Sequence, residues 1–202
     1  RRAVQTKTVP TAVYGNQWTR PSLDRCARLR GKILKCIWGS SSLLKCQEVV
    51  VGVIHDPTRV DLYFAGAYRA ILDANRMLSK FEHRMHDFYE GLSDIRKGKQ
   101  KFHINGAIHG FNKYCKELGI QIILTTECTV EKVYIVTPHG AKIDMCTTHV
   151  SHLSTCIRET CRHAALHHLQ LRVEQKDGKN GRLDMVGISP FTDHAATTAL
   201  PN

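Results

Sequence analysis

Arg25, Arg28, Lys32 and Lys35 recur at spacings of three and four residues. On an α-helix those spacings put side chains on one face. Arg and Lys are the side chains that pair with phosphate oxygens, Arg through parallel N–H donors and Lys as a point charge. No acidic residue intersperses after Asp24, until Glu48. The stripe therefore lacks counterions of its own and reads as a phosphate-binding face rather than a solvated charged face. Arg30 and Lys45 add cations to the same region.

Charge along the whole chain supports that reading. The net charge is +11. The first sixty residues hold eleven Lys or Arg against three acids. Residues 61–118 hold ten against seven, and residues 119–202 hold eight against eight. Uncompensated cations in one segment repel one another unless a polyanion neutralises them. Nucleic acid is the polyanion whose phosphates supply most of the affinity of such proteins. Arg1, Arg2, Lys7 and Arg20 extend the basic region to the N-terminus, and Arg96, Lys97, Lys99 and Lys101 form a second basic cluster around Gly98. All of these are candidate RNA contacts.

Other constellations are weaker. Cys146, His149, His152, Cys156 and Cys161 lie within sixteen residues. His149, His152 and Cys156 share a face if that segment is helical, a soft-metal arrangement. The spacing matches no standard finger and no CxxC occurs, so these Cys are expected to pack as small apolar residues, with no metal or other cofactor. His163, His167 and His168, near Arg158 and Arg162, read as an exposed titratable patch. The eight cysteines are scattered through helix- and strand-like segments, which favours reduced thiols. GxSxG, HExxH and a phosphate-binding glycine loop are all absent, and so is any Asp-Asp pair. No enzyme is expected.

The elements that must position these residues follow from capping and periodicity. The fold expected is mainly α, with a small antiparallel β element at about 120–145 and a basic extended arm over 1–21. Pro10, Gly15 and Pro21 interrupt that arm, which is expected to be ordered only by RNA. A helical domain spans 22–175 and a tail 176–202. Ser22 caps a helix to about Trp38, ended by Gly39. A shorter helix covers Leu43 to Ile54 and stops before Asp56-Pro57. Asp61 caps a long helix from Leu62 to about Ile95, with Gly91 as its point of interruption. Asn105 caps a helix from Gly106 to Leu118, closed by Gly119. Ile120 to Leu124, Thr129 to Val136 and Lys142 to Met145 are short β-branched runs, with Pro138-His139-Gly140 as a turn. Thr147 or Thr148 starts the last long helix, to about Glu174. No stretch approaches the roughly 20 apolar residues of a membrane span. The opening Arg1-Arg2, with no initiator Met, is compatible with removal of a targeting peptide and so with a mitochondrial location.

Several segments in order carry a resemblance. They are Leu29-Arg30-Gly31-Lys32-Ile33-Leu34-Lys35-Cys36-Ile37-Trp38-Gly39, Lys45-Cys46-Gln47-Glu48-Val49-Val50, Asp56-Pro57 and Ala67-Tyr68-Arg69-Ala70-Ile71-Leu72-Asp73-Ala74-Asn75-Arg76-Met77-Leu78. Later come Ile157-Arg158-Glu159-Thr160-Cys161-Arg162-His163-Ala164, Asp184-Met185-Val186-Gly187 and Asp193-His194-Ala195-Ala196-Thr197-Thr198-Ala199-Leu200. Their order and spacing resemble the region after the polymerase palm in protist non-LTR retrotransposon reverse transcriptases. The Tyr-x-Asp-Asp turn of that palm has no counterpart here, and His167-His168-Leu169-Gln170-Leu171 stands where the family is Arg-rich. The resemblance implies a piece that grips a nucleic-acid duplex without polymerising.

The expectation is thus a non-catalytic RNA-binding structural protein, with rRNA and neighbouring proteins of a large ribonucleoprotein as partners and no membrane. A divergent mitochondrial ribosome is the expected host. The alternatives are the nucleic-acid-gripping domain of a retrotransposon reverse transcriptase and, less favoured, a zinc-dependent interaction module.

Overall fold

Proline, aspartate and glycine punctuate the chain, and its elements run between them. A computed structural model describes residues 8–14, 22–38, 55–98 and 106–176. In order they form α1 (Val9–Val13), α2 (Leu23–Trp38), α3 (Pro57–Val60), α4 (Leu62–Lys80), a 3₁₀ turn (Glu82–Arg84), α5 (Met85–Arg96), α6 (Ala107–Glu117), β1 (Gln121–Glu127), β2 (Val130–Val136), β3 (Lys142–Asp144) and α7 (Val150–Lys176). The mainly helical fold with a small three-stranded antiparallel sheet is the one the sequence leads to.

Two carboxylates start the central helices. Asp56 accepts from the Thr58 N–H at 2.9 Å and the Thr58 hydroxyl at 2.7 Å, opening α3 with Pro57 in its first turn. Asp61 accepts from the Tyr63 N–H at 2.8 Å and opens α4. Helix α4 is the hub. Its residues Leu62 to Ala67, Ala70, Ile71, Leu72, Asn75 and Leu78 are buried almost all round, because α1, α2, α3, α6 and α7 pack against it. A helix covered on several sides needs apolar residues beyond one stripe.

The sheet is an antiparallel meander in the order β1-β2-β3. Gln121 pairs with Val136 and Glu127 with Val130, so only Cys128 and Thr129 form the connecting turn. Both have positive φ, 49° and 70°. That is the left-handed pair of a type I′ hairpin, which matches strand twist. Val133, Ile135 and Ile143 point into the core. Gly140, with φ of +83°, closes the next turn by donating its N–H to the Thr137 carbonyl at 2.9 Å. The buried Asn75 amide donates to the carbonyls of Met145 at 3.0 Å and Thr148 at 3.1 Å, fixing the segment between β3 and α7 to α4.

Some local expectations are corrected. The long helix breaks at Phe81, not Gly91. The Ser79 hydroxyl donates to the Cys146 carbonyl at 2.7 Å, and this bond with those of Asn75 ties the end of α4 to the segment that follows β3. The chain turns there, so that Met85, Phe88 and Leu92 reach the core. Gly91 sits inside α5 because a Cβ there would lie 2.7 Å from Ile108 Cδ1. Helix α7 starts at Val150, since Asp144 accepts from the N–H groups of Cys146 at 2.8 Å and Thr147 at 3.2 Å and holds that stretch in a turn. The described part of the N-terminal arm is helical, not extended. Pro10 stands in the first turn of α1, where its missing N–H costs nothing, and Val9 is buried against α4. The expected helix over 43–54, the Asn105 cap and the tail lie outside the described residues.

Candidate nucleic-acid interface

Helix α2 begins where the Ser22 hydroxyl accepts the Arg25 N–H at 3.3 Å. Cys26 and Ile33 turn inward and are buried in the core. Arg30 lies on the same side, and its guanidinium donates to Asp61. The Asp61 side chain is 1% exposed, so one carboxylate caps α4 and anchors α2. Arg30, expected among the RNA contacts, is thus engaged inside the fold.

Arg25, Arg28, Lys32 and Lys35 are exposed. At about 100° per residue, they occupy a strip roughly 80° wide, on the side of α2 away from Cys26 and Ile33. From first to last the strip is about 15 Å long. The closest internal contact is a long one, Arg28 Nε to the Asp24 carbonyl at 3.4 Å. None of the four enters an ion pair among the described residues. The arginines of the neighbouring elements are different. Arg59 lies 3.6 Å from Asp56, Arg69 3.3 Å and Arg76 3.0 Å from Asp73, and Arg84 3.1 Å from Asp87.

The second basic cluster is only partly described. Arg96 ends α5 and donates to the Ile122 carbonyl, which ties the helix to β1. Lys97 is exposed, and Gly98 follows with φ of +64°. Lys99 and Lys101 lie outside the described residues, as do Arg1, Arg2, Lys7, Arg20 and Lys45.

The cysteine and histidine constellation separates. His149 precedes α7 and caps it, with Nδ1 3.3 Å from the Ser151 N–H and 2.7 Å from the Ser151 hydroxyl. Cys156 lies 3.8 Å from His152. Cys161 is fully buried, and burial pushes its thiol up, as it does that of Cys115. Among the described residues no three His, Cys, Asp or Glu side chains converge as a metal-holding group. His163, expected at the surface, is buried and packs on His139 with ring centroids 4.0 Å apart.

Two polar sites escaped the sequence because their members are far apart in it. Arg158 donates to the Tyr68 hydroxyl at 3.3 Å and lies 3.8 Å from Asp56, joining α7 to α3 and α4. His86 lies 2.9 Å from Glu131, across the gap between α5 and β2. The hydrogen bond to Glu131 raises the His86 pKa above its usual value, and the nearby Glu90 and Asp87 carboxylates add to the effect. His86 and Glu131 line an open cavity of about 610 Å³ with Glu82, His83, Asp144 and Cys146.

No described helix is long and apolar enough to cross a membrane. Comparison with protein-family models, curated proteins and solved structures finds no match to the chain.

Proposed function

We propose that the chain is a non-catalytic RNA-binding structural protein of a large ribonucleoprotein, with a divergent mitochondrial ribosome as its host. One observation carries the RNA reading. Helix α2 presents four exposed cations without acidic partners among the described residues, while Arg59, Arg69, Arg76 and Arg84 share Asp56, Asp73 and Asp87. Exposed, uncompensated cations in a row are neutralised best by a row of phosphates, and release of counterions from the RNA supplies the affinity. The helical body behind α2 would hold RNA segments at fixed separation. Derivation from a retrotransposon reverse transcriptase is proposed as its origin.

Co-sedimentation tests the reading. The protein is expected with ribosomal subunits at moderate salt and free of them at high salt. Migration with light, RNA-free fractions at both salts overturns it. Magnesium-dependent primer extension by the pure chain would favour the polymerase-domain alternative instead.

A further inference from the structure

We propose that the α2 strip grips one phosphate strand of an RNA duplex and reads no bases. This rests on the RNA-binding reading above and specifies its ligand.

The strip matches one strand in size. The roughly 15 Å strip is long enough to face several successive phosphates of one strand. Its width of about 80° leaves room for one row of side chains, not two. Among the described side chains of α2, none supplies an amide or an aromatic ring for reading bases. Sequence in RNA is read by hydrogen bonds to base edges and by stacking on aromatic rings, chiefly in single strands. The other exposed side chains described on α2 are Asp24, Ala27 and Cys36, which offer neither an amide nor a ring. Among the described residues the exposed Tyr and Phe side chains are Tyr14 and Phe81, and the exposed histidines, His83 and His86 among them, likewise lie outside α2. An arginine cannot reach bases through the deep, narrow major groove of A-form RNA. Finally, the row is held on a stiff support. Cys26 and Ile33 seat α2 in the core, and Arg30 ties it to the buried Asp61. A fixed row of cations suits phosphates that are already ordered. A single strand would lose conformational freedom on binding and gain no stacking in return.

Fluorescence anisotropy with the full chain tests this against three RNA probes: a mixed-sequence duplex, a duplex with the base pairs permuted, and one strand of the first. The two duplexes are expected to bind within about twofold of one another, and the single strand at least about fivefold more weakly. The R25K/R28K variant keeps both charges and is expected to bind the duplexes within about twofold of the parent, with the same salt dependence. The R25Q/R28Q/K32Q/K35Q variant, its fold checked by circular dichroism, is expected to lower the slope of log affinity against log salt by about 3–4. Tighter binding of the single strand, an unchanged slope in the Gln variant, or sequence discrimination of about tenfold that the R25K/R28K variant loses would each overturn the inference. In those cases RNA binding itself survives. Binding to none of the probes at low salt would overturn the RNA-binding reading as well.

Discussion

Asp61 joins two demands in one side chain. It caps α4 through the Tyr63 N–H and accepts the Arg30 guanidinium that holds α2. Asp61→Ala should therefore cost about 2–4 kcal/mol, from the lost cap and a stranded, partly buried arginine. Urea unfolding measures it, and a loss below about 0.5 kcal/mol would remove Asp61 from this role. The cap was legible in the sequence, because Asp before an apolar helical run is a local signal. Its pairing with Arg30 was not, since the two are 31 positions apart and meet only where α2 crosses α4. His86 was illegible for the same reason. Its pKa is raised in the folded protein, so the stabilisation from Glu131 is complete below about 6.5 and is lost as pH rises through the folded value. NMR titration should place the His86 midpoint above the free value, and Glu131→Gln should bring it down. A midpoint that Glu131→Gln leaves in place would assign the shift to Glu90 and Asp87.

At the level of elements, the hairpin between β1 and β2 has the right geometry and the wrong residues. Cys128 and Thr129 both adopt left-handed backbone, which Thr, being β-branched, resists. Replacing Cys128→Asn and Thr129→Gly should stabilise the protein by about 1 kcal/mol, because Asn-Gly takes up this turn without strain. Thermal unfolding reads the effect, and a lower Tm would mean that the turn differs from type I′. The strands themselves could be read from their β-branched runs, whereas a Cys-Thr turn carries no turn signal. The reverse happened at Gly91. Glycine reads as a break, but Gly91 lies inside α5, where a Cβ would approach Ile108. Gly91→Ala should therefore destabilise the parent slightly, since overpacking offsets the gain of about 0.8–1.0 kcal/mol in helix propensity. With Ile108→Val, which removes the Cδ1 methyl, the same change should become stabilising. A Gly91→Ala effect of the same sign and size in both backgrounds would show that contact with Ile108 does not decide it.

For the whole molecule the question is whether RNA affinity follows net charge or its placement. The chain carries +11, and a long-range field of that size attracts any polyanion. Placement predicts more. Replacing Arg25, Arg28, Lys32 and Lys35 by Gln lowers the net charge by four, and so does replacing Arg59, Arg69, Arg76 and Arg84. The first set has no acidic partners among the described residues, while each member of the second is matched to Asp56, Asp73 or Asp87. Pairs exposed to this extent contribute about 0–1 kcal/mol each to stability, so both variants should remain folded. The α2 variant is expected to lose roughly 1,000-fold or more in RNA affinity at about 0.1 M salt, with a salt dependence shallower by about 3–4. The other should stay within about threefold of the parent, because its arginines already have counterions and little to gain from phosphate. Equal losses in the two variants would mean that the molecule acts as a diffuse positive body, and α2 would lose its claim to be the interface.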